Sequence, residues 1–396
     1  MSAPHSVPPL VRVLVAALAV AACAPAVPGG ANVSMPTQHA PPPAVSERAL
    51  HVYRDAFVVD AHNDMPSRMA DEGYDPDVRH EPGFGPHTGH TDLPRLVESG
   101  LTAAFMSAFV DAPYARTSPD SSFERALRLT DSVHAFVGRH PDQLLFATTA
   151  ADVRRAKRGG RVAILVGVEG GHAIERSLDN LRELHRRGVR YLTLTWNNGN
   201  EWAGSSVDGT RTGGLTDFGR DVVREMNRVG MLVDLSHVSE ATFFEAIAAS
   251  SQPVIASHSS ARALTDHPRN LTDAQLLAVR RNGGVVNVNF FARFIDPDFL
   301  RAVLAGEQPL PVTPFAVLVD HFDHIARVAG VEHVGIGSDF DGVSALPEGM
   351  EDVTMLPRLA QALLDRGHSE GDVKKMLGGN MLRVMEQALD RVAAPD

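Results

Sequence analysis

At 396 residues the chain exceeds one ordinary small domain yet fits a single large α/β barrel, so one large domain with a tail is expected. Charged residues make up 21% and the net charge is -11 at pH 7, the balance of a soluble globular protein with no basic face for nucleic acid. The single cysteine, Cys23, excludes an intramolecular disulfide, a cysteine metal cage and a catalytic thiol in the body of the protein, so any metal must take nitrogen and oxygen ligands.

Residues 1–22 carry Arg12, the apolar run Val13 to Val20, and then Ala21-Ala22. That run is too short to span a bilayer and has the form of a secretory signal core. Val20-Ala21-Ala22-Cys23 resembles the lipobox of bacterial lipoproteins, which implies lipid on Cys23; an ordinary cleaved signal is the alternative. Ala24 to Ser46 is rich in Pro, Ala and Gly and lacks a helix or strand period, as a flexible tether would. The expected organisation is a signal over 1–22, a tether over 23–46 and a folded body over 47–396. Such a protein would be exported and lipid-anchored in a bacterial envelope, on the periplasmic or outer-surface side.

In the folded body, Phe57-Val58-Val59-Asp60-Ala61-His62-Asn63-Asp64 is an apolar, β-branched run ending in a polar cluster, the pattern of a buried strand that stops at a site. Side chains two apart on a strand share a face, so His62 and Asp64 point the same way. The stretch 66–95 is long and irregular and is read as a functional loop. Further strands fit 101–110, 161–168, 191–195, 231–235, 253–256, 285–290 and 334–336. Between and after them, helices fit 121–139, 180–187, 217–229, 239–249, 272–281, 314–329, 356–366 and 370–392, with Gly188 and Gly230 at helix ends. Eight strands alternating with helices argue for a parallel sheet, and eight is the number that closes a (β/α)8 TIM barrel; a doubly wound open sheet is the alternative.

A barrel of this kind carries its chemistry at the C-terminal ends of its strands. Those ends bear His62 and Asp64, Glu169, His237, His258 and Asp339. Three imidazoles and three carboxylates suit zinc or a similar metal and exceed what one tetrahedral ion needs, so two ions sharing a carboxylate are expected. In such pairs, with metals roughly 3.5–4 Å apart, a bridging water becomes a nucleophile at neutral pH, which makes hydrolysis the natural chemistry. Gly170-Gly171 permit a sharp turn beside the metals, and His172 and Asp341 are read as supporting groups.

The motifs DAHND (60–64), GVEGGH (167–172), YLTLT (191–195), DLSHVS (234–239), SHSSAR (257–262), RN (269–270) and GSDFDG (337–342) together resemble the membrane dipeptidase, or renal dipeptidase, family of zinc peptidases, from about Phe57 to Arg391. The resemblance implies a metallo-dipeptidase with two zinc ions per chain. His62 and Asp64 would hold one ion, His237 and His258 the other, and Glu169 would bridge them. Arg269 would bind the C-terminal carboxylate of the substrate, a role suited to its planar fork. Asp339 would take a proton from the bridging water and pass it to the leaving amine. The family histidine after the LTLT strand is replaced by Trp196, which can donate a hydrogen bond but cannot titrate, and Asn197 or Asn198 is a candidate for the missing substrate contact.

The leading expectation is thus hydrolysis of dipeptides by an envelope lipoprotein, with a homodimer as an admitted assembly. An amidase or deacylase acting on N-acyl or modified amino acids is the second reading, and a lipoprotein that binds peptides without turnover is the third.

Overall fold

Eight parallel strands close into a ring in the computed structural model, which describes residues 41–117, 121–208 and 213–390. In chain order the strands are β1 (Val59–Asn63), β2 (Ala103–Phe109), β3 (Leu144–Phe146), β4 (Val162–Glu169), β5 (Val189–Thr193), β6 (Leu232–Asp234), β7 (Ile255–Ala256), β8 (Val285–Val288) and β9 (Val334–Ile336). The ring runs β1-β2-β4-β5-β6-β7-β8-β9 and returns to β1, which is the expected (β/α)8 barrel. The expected signal, Cys23 and the tether up to residue 40 lie outside the described residues. Among the described residues no helix is long and apolar enough to cross a membrane.

The ninth strand, β3, was not expected. Its three residues pair with Val162–Ile164 of β4, on the edge that β5 takes over from Val166, and so short a run carries no readable period. All eight residues of β4, Val-Ala-Ile-Leu-Val-Gly-Val-Glu, are buried, as befits a parallel strand covered on both faces. Val59, Phe105, Leu165, Tyr191, Leu232, Ile255 and Val285, one from each of seven strands, form a cluster that Met381, Leu382 and Met385 of the last helix close off. At Gly167 a Cβ would lie 1.9 Å from the Tyr191 ring, so β4 needs glycine there for that ring to cross the barrel interior.

The stretch expected as an irregular loop over 66–95 carries helices at both ends, Met65–Asp71 and Leu93–Ser99. Pro66 and Pro94 each occupy the first helical turn, where the missing N–H costs nothing. Elsewhere the expected helices form with ends within one or two residues of their expected bounds, Ser239 and Thr272 being N-caps and Thr272 forming a capping box with Gln275, while the helices Ala150–Arg158 and Pro297–Ala305 were not expected. The single helix expected over 370–392 is instead Glu370–Lys374, a π-turn at Lys375–Gly379 and Asn380–Ala388. The break has a packing cause, since a Cβ on Gly378 would sit 2.3 Å from the Phe57 carbonyl at the entry to β1.

Candidate functional site

The mouth of the barrel is built on two buried aspartates that the sequence reading passed over. Asp60 Oδ1 accepts from the Ser338 N–H at 2.9 Å and its Oδ2 from the Ser338 hydroxyl at 2.5 Å, tying β1 to the segment after β9. Asp234 Oδ1 accepts from the Ser257 N–H at 2.8 Å, and its Oδ2 from the hydroxyls of Thr193 at 2.5 Å and Ser257 at 2.6 Å, tying β6 to β5 and to the end of β7. These bonds lock neighbouring strands in register just below His62, His237 and His258. Burial pushes the Asp60 carboxyl up to about 6 against those same hydrogen bonds.

Above them the six expected residues converge, all buried. His62 Nε2 lies 3.2 Å from Asp64 Oδ2 and 3.5 Å from Glu169 Oε2. The other oxygen of Glu169, Oε1, lies 2.7 Å from His237 Nε2 and 3.4 Å from His258 Nε2. Glu169 therefore turns one oxygen to each pair of donors. Two overlapping groups, His62 with Glu169 and His258, and His62 with Asp64 and Asp339, bring their donor atoms within 4.8 Å of one another.

Each imidazole is held from behind. His62 Nδ1 meets the Tyr191 hydroxyl at 2.9 Å, His237 Nδ1 meets Asn197 Oδ1 at 3.1 Å, and His258 Nδ1 meets the Ser257 hydroxyl at 2.8 Å. Asn197 Oδ1 can only accept, and Ser257 already donates to Asp234, so both Nδ1 atoms carry the proton. The bare Nε2 atoms of His237 and His258 then face each other at 2.9 Å. Two lone pairs and a carboxylate at that spacing repel unless a cation sits among them. Burial, with Arg269 contributing, lowers His237 to about 4, and burial holds His258 well below its usual range, so both stay neutral, the form that binds a cation; His62, raised despite its burial by Tyr191, Asp64 and Glu169, gives up its proton when a cation takes its place among those carboxylates. His62 Nε2 and Asp64 Oδ1 are buried without a hydrogen-bond partner. A nitrogen and oxygen donor set of this kind fits zinc.

The geometry is strained where it matters. His237 and Asp339 adopt φ of 69° and 63°, a region that favours glycine, and surrounding bonds hold them there. Asp339 N–H donates to the His62 carbonyl at 3.1 Å, and Asn289 Nδ2 donates to Asp339 Oδ2 at 2.7 Å. Burial, together with Asp64 and Glu169, pushes Asp339 well above the carboxylate range despite the opposing effect of His62. Asp341 anchors the same turn: its Oδ1 accepts from Arg68 at 3.1 Å and from the His90 N–H at 2.9 Å. Gly170 has φ 105°, and a Cβ on Gly171 would lie 2.2 Å from the Leu194 carbonyl, so the glycine pair does make the close turn beside Glu169.

A cavity of about 510 Å³ opens over the cluster. Arg269 lines it, 3% exposed, with one nitrogen donating to the His258 carbonyl at 3.2 Å while Nε and Nη1 have no partner. Burial lowers it to about 10, which leaves it charged at neutral pH. Trp196 is half-buried in the cavity wall, 4.8 Å from the Phe109 ring and 6.4 Å from His237. Asn197 also lines the cavity, but its carbonyl oxygen is engaged by His237. His172 is buried outside the cavity lining and kept neutral by burial. Tyr191, Asn289, Ser257 and Arg68 were not singled out in sequence; only Tyr191 carried a signal, since alternation along YLTLT turns it with Thr193 toward one face.

The family model described as membrane dipeptidase (peptidase family M19) matches residues 46–394. Dipeptidase verJ of Clonostachys rogersoniana is 38% identical over 348 residues, covering 86% of this chain and 86% of that protein. Among solved structures, dipeptidase AC, described as a metallopeptidase of family M19, matches with a TM-score of 0.74 at 31% identity, over 84% of this chain and 99% of that one. A metallopeptidase from Rhodobacter sphaeroides, solved with a phosphinate mimic of the dipeptide L-Ala-D-Ala, matches with a TM-score of 0.74 at 30% identity, over 84% of this chain and 100% of that one.

Proposed function

This chain belongs to the membrane dipeptidase family, peptidase family M19, and we propose that it hydrolyses the amide bond of dipeptides with two zinc ions held at the barrel mouth. Membership makes it a hydrolytic enzyme and sets aside a binding protein without turnover. The observation that carries the two-ion reading is the placement of Glu169, whose oxygens face His62 with Asp64 on one side and His237 with His258 on the other. The relatives are named as dipeptidases, and one was solved with a dipeptide mimic, which supports a substrate of that size.

When bound, zinc acidifies water and polarises a carbonyl oxygen. The chain's own groups supply the rest. The unpartnered Nε and Nη1 of Arg269 offer a fork for the free carboxylate of the substrate. Asp339, held by Asn289 at Oδ2, keeps Oδ1 to receive a proton and hand it to the leaving amine. Trp196 lines the cavity beside His237 and has one indole N–H to donate.

The second reading, a deacylase for N-acyl amino acids, has less support, because the relatives are named as dipeptidases and one was solved with a dipeptide mimic. Turnover of a dipeptide panel and of matched N-acetyl amino acids, with and without a chelator, tests this. Faster cleavage of N-acetyl amino acids would overturn the dipeptidase reading, and chelator-insensitive cleavage would overturn the zinc one. We further propose that residues 1–22 direct export and that Cys23 carries the lipid. Labelling with a radioactive fatty acid should mark the wild type and not Cys23→Ser; unlabelled, freely soluble wild type would point to a simple cleaved signal.

A further inference from the structure

Arg269 follows β7, and in the ring of eight strands β7 stands opposite β2. The cavity is accordingly polarised. On the Arg269 side its wall is aromatic, from Phe291 and Phe294, and two nitrogens of the guanidinium have no partner. Facing it, four carboxylates, Asp71, Glu72, Asp111 and Asp341, meet two guanidiniums, Arg68 and Arg125.

Three of those carboxylates are taken. Asp71 pairs with Arg125, while Glu72 and Asp341 pair with Arg68 at 3.1 Å each. Asp111 pairs with no arginine or lysine whose side chain the structure describes; among those residues its Oδ1 accepts from the following Ala112 N–H, at 2.7 Å. His172, which feels the charge of Asp111, is kept neutral by burial. Val110 N–H still bonds to the Glu169 carbonyl at 3.0 Å, so the chain stays extended past β2, and Phe109 and Asp111 share the face that lines the cavity. The Phe109 ring packs against Trp196 with centroids 4.8 Å apart.

We propose that Asp111, Phe109 and Trp196 form a subsite for a cationic side chain on the N-terminal residue of the substrate, so that lysyl and arginyl dipeptides are favoured. The inference rests on the dipeptidase reading: with the free carboxylate at Arg269 and the scissile carbonyl over the metal cluster, the N-terminal residue extends toward β2. Two aromatic faces attract an ammonium or guanidinium, and an unpaired carboxylate in a half-buried wall supplies the countercharge. The competing account is that Asp111 serves the α-ammonium common to every dipeptide, and it predicts equal effects on all of them.

The test compares kcat/KM of the zinc-loaded full chain on Lys-Ala, Arg-Ala and norleucyl-Ala, for the wild type and Asp111→Asn. Asparagine retains the oxygen that accepts from Ala112, and a thermal melt checks the fold. The wild type should favour Lys-Ala and Arg-Ala over norleucyl-Ala on the order of tenfold, mostly in KM, and Asp111→Asn should bring that ratio near one. No preference in the wild type, or equal losses on all three substrates in the variant, overturns the subsite. Calorimetry with phosphinate dipeptide mimics bearing an aminobutyl or a butyl side chain separates this from the reaction itself. Tighter binding of the aminobutyl mimic that is lost in Asp111→Asn supports the subsite even if no dipeptide is cleaved, a result that would sink the dipeptidase reading alone. Equal affinities sink the subsite.

Discussion

The Tyr191 hydroxyl lies 2.9 Å from His62 Nδ1, so a side chain of β5 crosses the barrel to orient a donor of β1. Removing that hydroxyl should loosen the imidazole without emptying the space, since the ring still fills the interior over Gly167. Tyr191→Phe is expected to weaken zinc binding by about 10–100-fold, the usual effect of losing a bond behind a ligand, with little change in melting temperature of the apo protein. Competitive titration against a chromophoric chelator measures it. Gly167→Ala, by contrast, should destabilise the fold itself, because the new methyl falls inside the Tyr191 ring.

Glu169 faces both donor pairs, so Glu169→Ala should reduce binding of both ions rather than one. Metal analysis after reloading is expected to approach two zinc equivalents in the wild type and to fall below one in the variant. A stoichiometry of one in both proteins would mean that a single ion is held and that Glu169 does not bridge.

Arg269→Lys keeps the charge and loses the two-pronged donor. Dipeptides should then lose about 10–100-fold in kcat/KM, the scale of a charged hydrogen bond worth roughly 1.5–3 kcal/mol, while C-terminally amidated analogues change little. Parallel losses on both substrates would instead assign Arg269 to holding the His258 carbonyl.

Trp196→His restores a titratable donor next to His237 but removes an indole packed on Phe109. If an added contact to the developing charge dominates, turnover of norleucyl-Ala should rise, with a ceiling of about two to three orders of magnitude. The gain should be accompanied by a weaker preference for Lys-Ala. Unchanged rates on both substrates would place position 196 out of reach of the substrate.

Acid should destabilise the protein through His321. Its Nδ1 accepts from the Ala261 N–H at 3.0 Å and its Nε2 donates to the Ile295 carbonyl at 2.9 Å, an arrangement only the neutral ring can make. Burial lowers its pKa to about 4, helped by His324 and opposed by the Ile295 carbonyl. The unfolded chain therefore takes up this proton near pH 6.5 and the folded one only near 4, so stability falls as pH drops through that window, by up to about 1.4 kcal/mol per unit. His321→Gln can make both bonds without titrating. Chemical denaturation at several pH values should show a shallower loss in the variant.

The barrel and the rim position of the proposed metal ligands were legible in sequence because both depend on local periods. Two-residue alternation puts His62 beside Asp64 on one face, and strand ends in a parallel barrel share one rim, so Glu169, His237, His258 and Asp339 could be gathered without coordinates. Prolines at the first turn of a helix and a three-residue strand escaped, because neither carries a period of its own. What only the tertiary structure decided are relations between distant segments. Closure of the ring sets Asp60 on Ser338, Tyr191 on His62 and the two oxygens of Glu169 between two pairs of donors. It also leaves Asp111 without an arginine or lysine partner among the described side chains, across the mouth from Arg269, since which carboxylates find a guanidinium depends on how the loops after β1 and β2 pack, and no spacing along the chain encodes that.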